Sequence, residues 1–213
     1  LFLTGPQEII EFGLPDERAW ELFAVRYVYS EWEALPLPWE RLESGADRIG
    51  PVNLFRLTAP RPYAHLVYDY TLVESDEAAR QVLADADFNP REVAILHEDV
   101  TLNLPDARPD NAGTTITAYA PEAFTVIVNT PEDAILSLAH VHYPGWEARI
   151  NGESVPILRA YGGLSALAVP AGEHRVELVY DPLTYRIGAM VSIVTWVALG
   201  IFALFVAIRA FVE

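Results

Sequence analysis

The run from Ile187 to Ile208, IGAMVSIVTWVALGIFALFVAI, has no ionisable side chain and is framed by Arg186 and Arg209. Its 22 residues match the roughly 20 needed to cross hydrocarbon, so it is read as a transmembrane helix. Everything before it must then fold as a domain held at a bilayer surface. Ser192 and Gly200 would let another helix approach closely, but the run lacks a Gly-x-x-x-Gly pair.

One arginine on each side leaves the positive-inside rule nearly balanced. The acidic balance of the large segment, and a C-terminal stub that carries Arg209 and is too short to be a domain, favour an extracytoplasmic domain. Arg186, Trp196 and Arg209 are the candidate membrane-interface residues. The opening LFLTG has neither a basic n-region nor a full apolar segment, so it is not read as an intact signal peptide. The expectation is either a late signal-anchor or the C-terminal portion of a longer membrane protein.

The net charge of −16 over 213 residues excludes a concentrated basic surface, and with it nucleic acid as a partner. The same charge would be repelled by anionic headgroups, so anchorage falls to the apolar helix. With no cysteine, disulfides, thiol nucleophiles and Cys-based zinc sites are ruled out.

Punctuation divides the rest. RAWELFAVRYVYSE (18–31) reads as a short helix feeding a strand, and EWEALPLPWERLE is broken by Pro36 and Pro38. There Trp32 and Trp39 either pack under a loop or touch the bilayer interface. VNLFRLTA and PRPYAHLVYDYTLV read as two strands. SDEAARQVLADADF is an amphipathic helix with Ser75 as N-cap and Asp76 and Glu77 in its first turn, and REVAILHED is another strand.

The Pro- and Gly-rich NLPDARPDNAGT then marks a boundary. Beyond it come TTITAYAP, AFTVIVNTP, AILSLAHVHYP, WEARINGESVPI, LSALAVP and HRVELVYDP, six or more short strands of an antiparallel sandwich. Asn151-Gly152 is a type I′ hairpin signal, and Val176, Leu178 and Tyr180 form one face of their strand. The fold expected is mainly β with an α+β N-terminal part. It has an α+β subdomain over 1–110, an antiparallel β-sandwich over 111–182, and a membrane anchor with a short stub over 183–213.

Within residues 140–188 stand Tyr143-Pro144-Gly145-Trp146, Asn151-Gly152, Val155-Pro156-Ile157, Arg159-Ala160, Pro170-Ala171-Gly172-Glu173-His174 and Tyr180-Asp181-Pro182 with Arg186 and Gly188. In that order they resemble the C-terminal extracytoplasmic module and last span of the bacterial YfhO-like membrane proteins. Ala24-Val25-Arg26-Tyr27-Val28 and Phe88-Asn89-Pro90 fit as well. The resemblance implies a multi-spanning protein similar to GT-C glycosyltransferases that use a polyprenyl-phosphate sugar on a cell-envelope polymer. The acidic catalytic residues of such proteins lie in loops among N-terminal spans, so none carries over to this chain.

Locally, Trp146 is either sandwich core or a carbohydrate-stacking platform, and with Tyr143 and His142 it makes the candidate glycan or protein contact. His140 and His142 share a strand face but lack further zinc ligands, and His174 reads as a turn residue making local hydrogen bonds. Glu98/Asp99 and Glu132/Asp133 are solvated pairs in an acidic domain, and no phosphate loop, nucleophile elbow or dinucleotide fingerprint is present. No catalytic residue, metal site or cofactor is assigned. The expected function is a non-catalytic accessory or docking subunit of a membrane complex. The alternative is an acceptor-recognition module of a GT-C-like glycosyltransferase. The expected partners are integral membrane proteins or upstream spans, the lipid bilayer and a cell-envelope glycan.

Overall fold

In the computed structural model, which describes residues 16–48 and 50–212, helix α1 (Asp16–Leu22) leads into β1 (Tyr27–Ser30). The opening LFLTG lies outside the described residues. Strands β2 (Trp39–Ala46) and β3 (Pro51–Leu57) complete a small antiparallel sheet of order β1-β3-β2. Trp39 sets its ring edge against Phe55 at 4.9 Å, while Trp32 lies 6.0 Å from Trp20. Trp39 therefore packs under the sheet, and Trp32 remains partly exposed beside Trp20.

PRPYAHLVYDYTLV forms two strands rather than the one expected, β4 (Ala64–Val67) and β5 (Asp69–Leu72). Helix α2 (Asp76–Ala84) follows, its N-terminus capped by the Ser75 side chain accepting from the Ala78 N–H, and then β6 (Val93–Leu96). Because β5 and β6 run parallel with α2 crossing between them, the sheet they join is mixed, not antiparallel throughout.

Eight further strands follow: β7 (Gly113–Ala120), β8 (Ala123–Thr130), β9 (Ala134–Val141), β10 (Trp146–Ile150), β11 (Glu153–Val155), β12 (Leu158–Ala160), β13 (Leu164–Val169) and β14 (Gly172–Tyr180). Five of them make an antiparallel sheet of order β11-β10-β14-β8-β7. The other three join strands from before residue 110 in a six-stranded sheet of order β4-β9-β13-β12-β6-β5. Strands on both sides of residue 110 thus share one sheet. Its two edge strands, β4 and β5, are separated in sequence only by Tyr68, so the sheet curls round toward itself.

The main core lies between these two sheets. Leu136, Leu138 and Leu167 from one face meet Val126, Val176 and Leu178 from the other. The opposite face of the six-stranded sheet buries Ile135, Ala166 and Ala160 under Ala79 and Leu83 of α2 and Leu22 of α1. Residues 134–138 of β9 are consequently buried on both faces, which accounts for their unbroken run AILSL. Each large aliphatic side chain so buried contributes about 1.5–3 kcal/mol.

Helix α3 (Leu183–Val212) follows β14 with only two residues between them. Its apolar stretch Leu183–Arg209 is 27 residues long, and none of its described side chains is buried against the domain. At 1.5 Å per residue the uncharged part rises about 33 Å, close to the hydrocarbon thickness of a bilayer.

Candidate functional site

The sequence Tyr143-Pro144-Gly145-Trp146 links β9 to β10 at the end of the sandwich from which α3 departs. The chain leaves β9 at Val141, and the His142 N–H donates to the Gly163 carbonyl at 2.8 Å. Gly145 then takes φ +102°, a conformation L side chains rarely adopt. A Cβ there would stand 2.9 Å from Tyr180 Cε2 and 3.0 Å from Pro182 Cβ. The Asp181 N–H donates to the Gly145 carbonyl at 2.8 Å. The glycine thus lets the loop press directly onto the junction between strand and membrane helix.

One residue later Trp146 pairs across the sheet with Tyr180. Its indole meets the His140 imidazole edge-on at 4.4 Å, Tyr180 at 5.5 Å and Phe124 at 5.9 Å. It packs on the margin of the main core yet keeps part of its surface open. That open part lines a cleft of about 380 Å³ with His142, Tyr143, Glu147, Ser154 and Ser165, between the β10–β11 edge and the opposing sheet.

The three contact candidates, Trp146, Tyr143 and His142, therefore come together around one space. His140 does not line it. It lies beneath the indole, where burial, and secondarily the charge of His142, lowers its pKa and favours the neutral ring. The cleft offers rings, hydroxyls and a carboxylate, with no lysine or arginine in its lining among the described residues.

Of the other resemblance residues, Val155, Pro156 and Ile157 also line the cleft, and the turn residues and Arg159 hold the fold together. Asn151 and Gly152 turn β10 into β11, both at positive φ. Asn151 Nδ2 lies 3.0 Å from His174 Nδ1, and Asn151 Oδ1 accepts from the Arg175 N–H at 2.9 Å. His174 is thus the local hydrogen-bonding residue expected, and it clasps two turns at the end away from the membrane helix. Arg159 bridges Asp76 in the first turn of α2 at 3.0 Å and the Gly162 carbonyl at 2.6 Å.

Of the interface candidates, Arg186 pairs with Asp181 at 3.5 Å beside the domain, and Arg209 stands near the far end of α3. Trp196 is exposed near the midpoint of the uncharged run, about 15 Å along the axis from Arg186.

A second cleft of about 530 Å³, lined by Asp69, Asn89, Arg91, Asp106 and Arg108 among others, was not foreseen. Its residues come from three separated segments, so no local sequence signal marks it. Arg91 is already committed there, to Glu21 at 2.7 Å and the Ala59 carbonyl at 2.7 Å. Behind it, His65 Nε2 lies 2.9 Å from the Arg91 carbonyl, and burial pushes its pKa down to about 4.

Arg61 is buried nearby and donates to Ser137 Oγ at 2.8 Å, while its Nε and Nη1 have no partner among the described residues. No group of three or more metal-ligating side chains gathers among the described residues.

The chain is thus a membrane-anchored protein with an extracytoplasmic β-rich domain and one span in the sequence described. No curated protein and no solved structure matches it. Ala24–Val28 and Phe88–Pro90 lie outside residues 107–192, which take in β7 to β14 and the start of the membrane helix. Residues 107–192 match the family described as bacterial membrane protein YfhO, so this part of the chain is a YfhO-family region.

Proposed function

We propose that this chain is a non-catalytic docking module, an accessory subunit that holds a protein-binding surface at fixed height over the membrane within an integral membrane complex. One observation carries the reading: the two residues between β14 and α3, pinned by Gly145, couple the domain tightly to a helix whose surface the described residues leave uncovered. An uncovered span with small residues on its surface suits partner helices, and the cleft beside it suits a contact just outside the bilayer. Mild-detergent purification from native membranes tests this. Integral membrane proteins should co-purify in fixed ratio, and truncation before Leu183 should release a folded domain that no longer joins them. A full-length chain that purifies alone would overturn the reading.

A second reading has its own support in the YfhO-family region and in the chemistry of the cleft. The module would recognise the acceptor glycan of a polyprenyl-phosphate-sugar-dependent, GT-C-like glycosyltransferase, with the catalytic spans supplied upstream or in trans. Trp146 and Tyr143 would stack on the sugar, while His142 and the serines would receive its hydroxyls. A much longer native polypeptide with many spans, found by intact mass and N-terminal sequencing, would favour this reading over the first.

A further inference from the structure

Three chain segments meet at the end of the sandwich from which α3 departs: the β7–β8 turn, the β9–β10 loop and the exit of β14. Backbone bonds hold them together, the Tyr180 N–H to the Glu122 carbonyl and the Asp181 N–H to the Gly145 carbonyl, both 2.8 Å. Tyr119 lies on β7, to one side of β14 beyond β8, and Tyr143, in the β9–β10 loop, lines the cleft beside the β10–β11 edge on the other. Tyr180 stands at the exit of β14 and Tyr185 in the first helical turn. Their exposures are 68, 61, 37 and 74 %, high for large rings on the rim of an acidic domain.

Height follows from the helix. If the uncharged run fills the hydrocarbon, Arg186 and Tyr185 lie in the headgroup layer, which extends about 5–7 Å beyond the hydrocarbon on each side. Leu183 then lies about 6 Å beyond the hydrocarbon, at the outer edge of that layer, and Tyr180, three residues on, stands at most about 10 Å above Leu183. Charge narrows the partner. Near the junction are Glu122, Glu147 and Asp181, and the nearby Arg186 is paired with Asp181. Attraction to anionic lipid is therefore weak, whereas rings that bear a hydroxyl suit the interfacial layer of any bilayer.

The geometry points to a bilayer seat: Tyr119, Tyr143, Tyr180 and Tyr185 form a tyrosine skirt whose rings reach down to the headgroup layer and hold the sandwich over its own span. Lipid is the occupant because the skirt is continuous with a helix already in the membrane.

The absence of cysteine gives a direct test. Nitroxide labels are placed in the full chain at Tyr119→Cys, Tyr143→Cys and, at the opposite end of the sandwich, Glu153→Cys. Each variant is reconstituted into vesicles of a single zwitterionic phosphatidylcholine. Labels at 119 and 143 should collide with a water-soluble nickel chelate several-fold less than the label at 153, while remaining open to oxygen. Chelate collision equal to that at 153 would overturn the seat. Shielding from both reagents would overturn it too, since a second copy of the chain would then cover the rim. Two labelled positions keep the test decisive if one substitution disturbs its loop.

Discussion

A methyl group at residue 145 would meet Tyr180 and Pro182 together, so Gly145→Ala should strain the backbone and push the loop off the junction at once. The backbone part alone is worth about 1–3 kcal/mol. Gly152 also has positive φ, at +89°, but nothing lies within 4 Å of its missing Cβ. Gly152→Ala should therefore cost clearly less, and urea denaturation of the two variants measures the difference. Trp146 presents a parallel choice. Its indole packs against three rings but keeps an open part, so Trp146→Ala should destabilise by about 3 kcal/mol, the low end for a buried aromatic. An unchanged melting transition together with lost saccharide binding would favour the platform role.

At the scale of elements, β4 carries a pH response into the fold. His65 is buried, and its pKa near 4 comes from burial first, opposed by its bond to the Arg91 carbonyl and reinforced by Arg61, Arg108 and Arg91. The unfolded chain titrates near 6.5, so it binds the extra proton first as pH falls. Stability is complete above about 6.5 and declines toward 4, by roughly 2–3 kcal/mol from this group. Urea midpoints at pH 7 and pH 5 should show the decline, and His65→Gln should flatten it.

Much of the element plan was legible in the sequence. Alternation marked Val176 and Leu178, turn residues marked Asn151-Gly152, and the Ser75 cap marked α2. Strand β2 was missed because WERLESGA is almost wholly exposed, and no hydrophobic period survives on such a strand. The parallel pairing of β5 with β6 was missed because pairing direction depends on the crossover, not on either strand's composition. The break at Tyr68 also escaped notice: β4 and β5 are both rich in strand formers, and only the curl of the sheet sends them to opposite edges. The cleft was half visible. His142, Tyr143 and Trp146 are neighbours in sequence, whereas Ser154 and Ser165 reach it only through folding.

For the whole molecule, the prediction concerns separability. Truncation before Leu183 should leave a monomeric domain that melts cooperatively, because both cores are built from residues before the helix. Analytical ultracentrifugation and thermal unfolding of that fragment check it, and aggregation would mean that the junction completes the fold. In the intact chain, a junction of two residues makes the sandwich a lever. Strand β14 runs from the Asn151–His174 clasp to its end at Tyr180 over about 20 Å at 3.4 Å per residue. Were α3 to lean by about 10°, as spans do when hydrophobic thickness changes, the clasp would sweep sideways by about 3.5 Å relative to the strand's end. A small reorientation within the bilayer would thus arrive at the far turns as a displacement wider than a hydrogen bond is long.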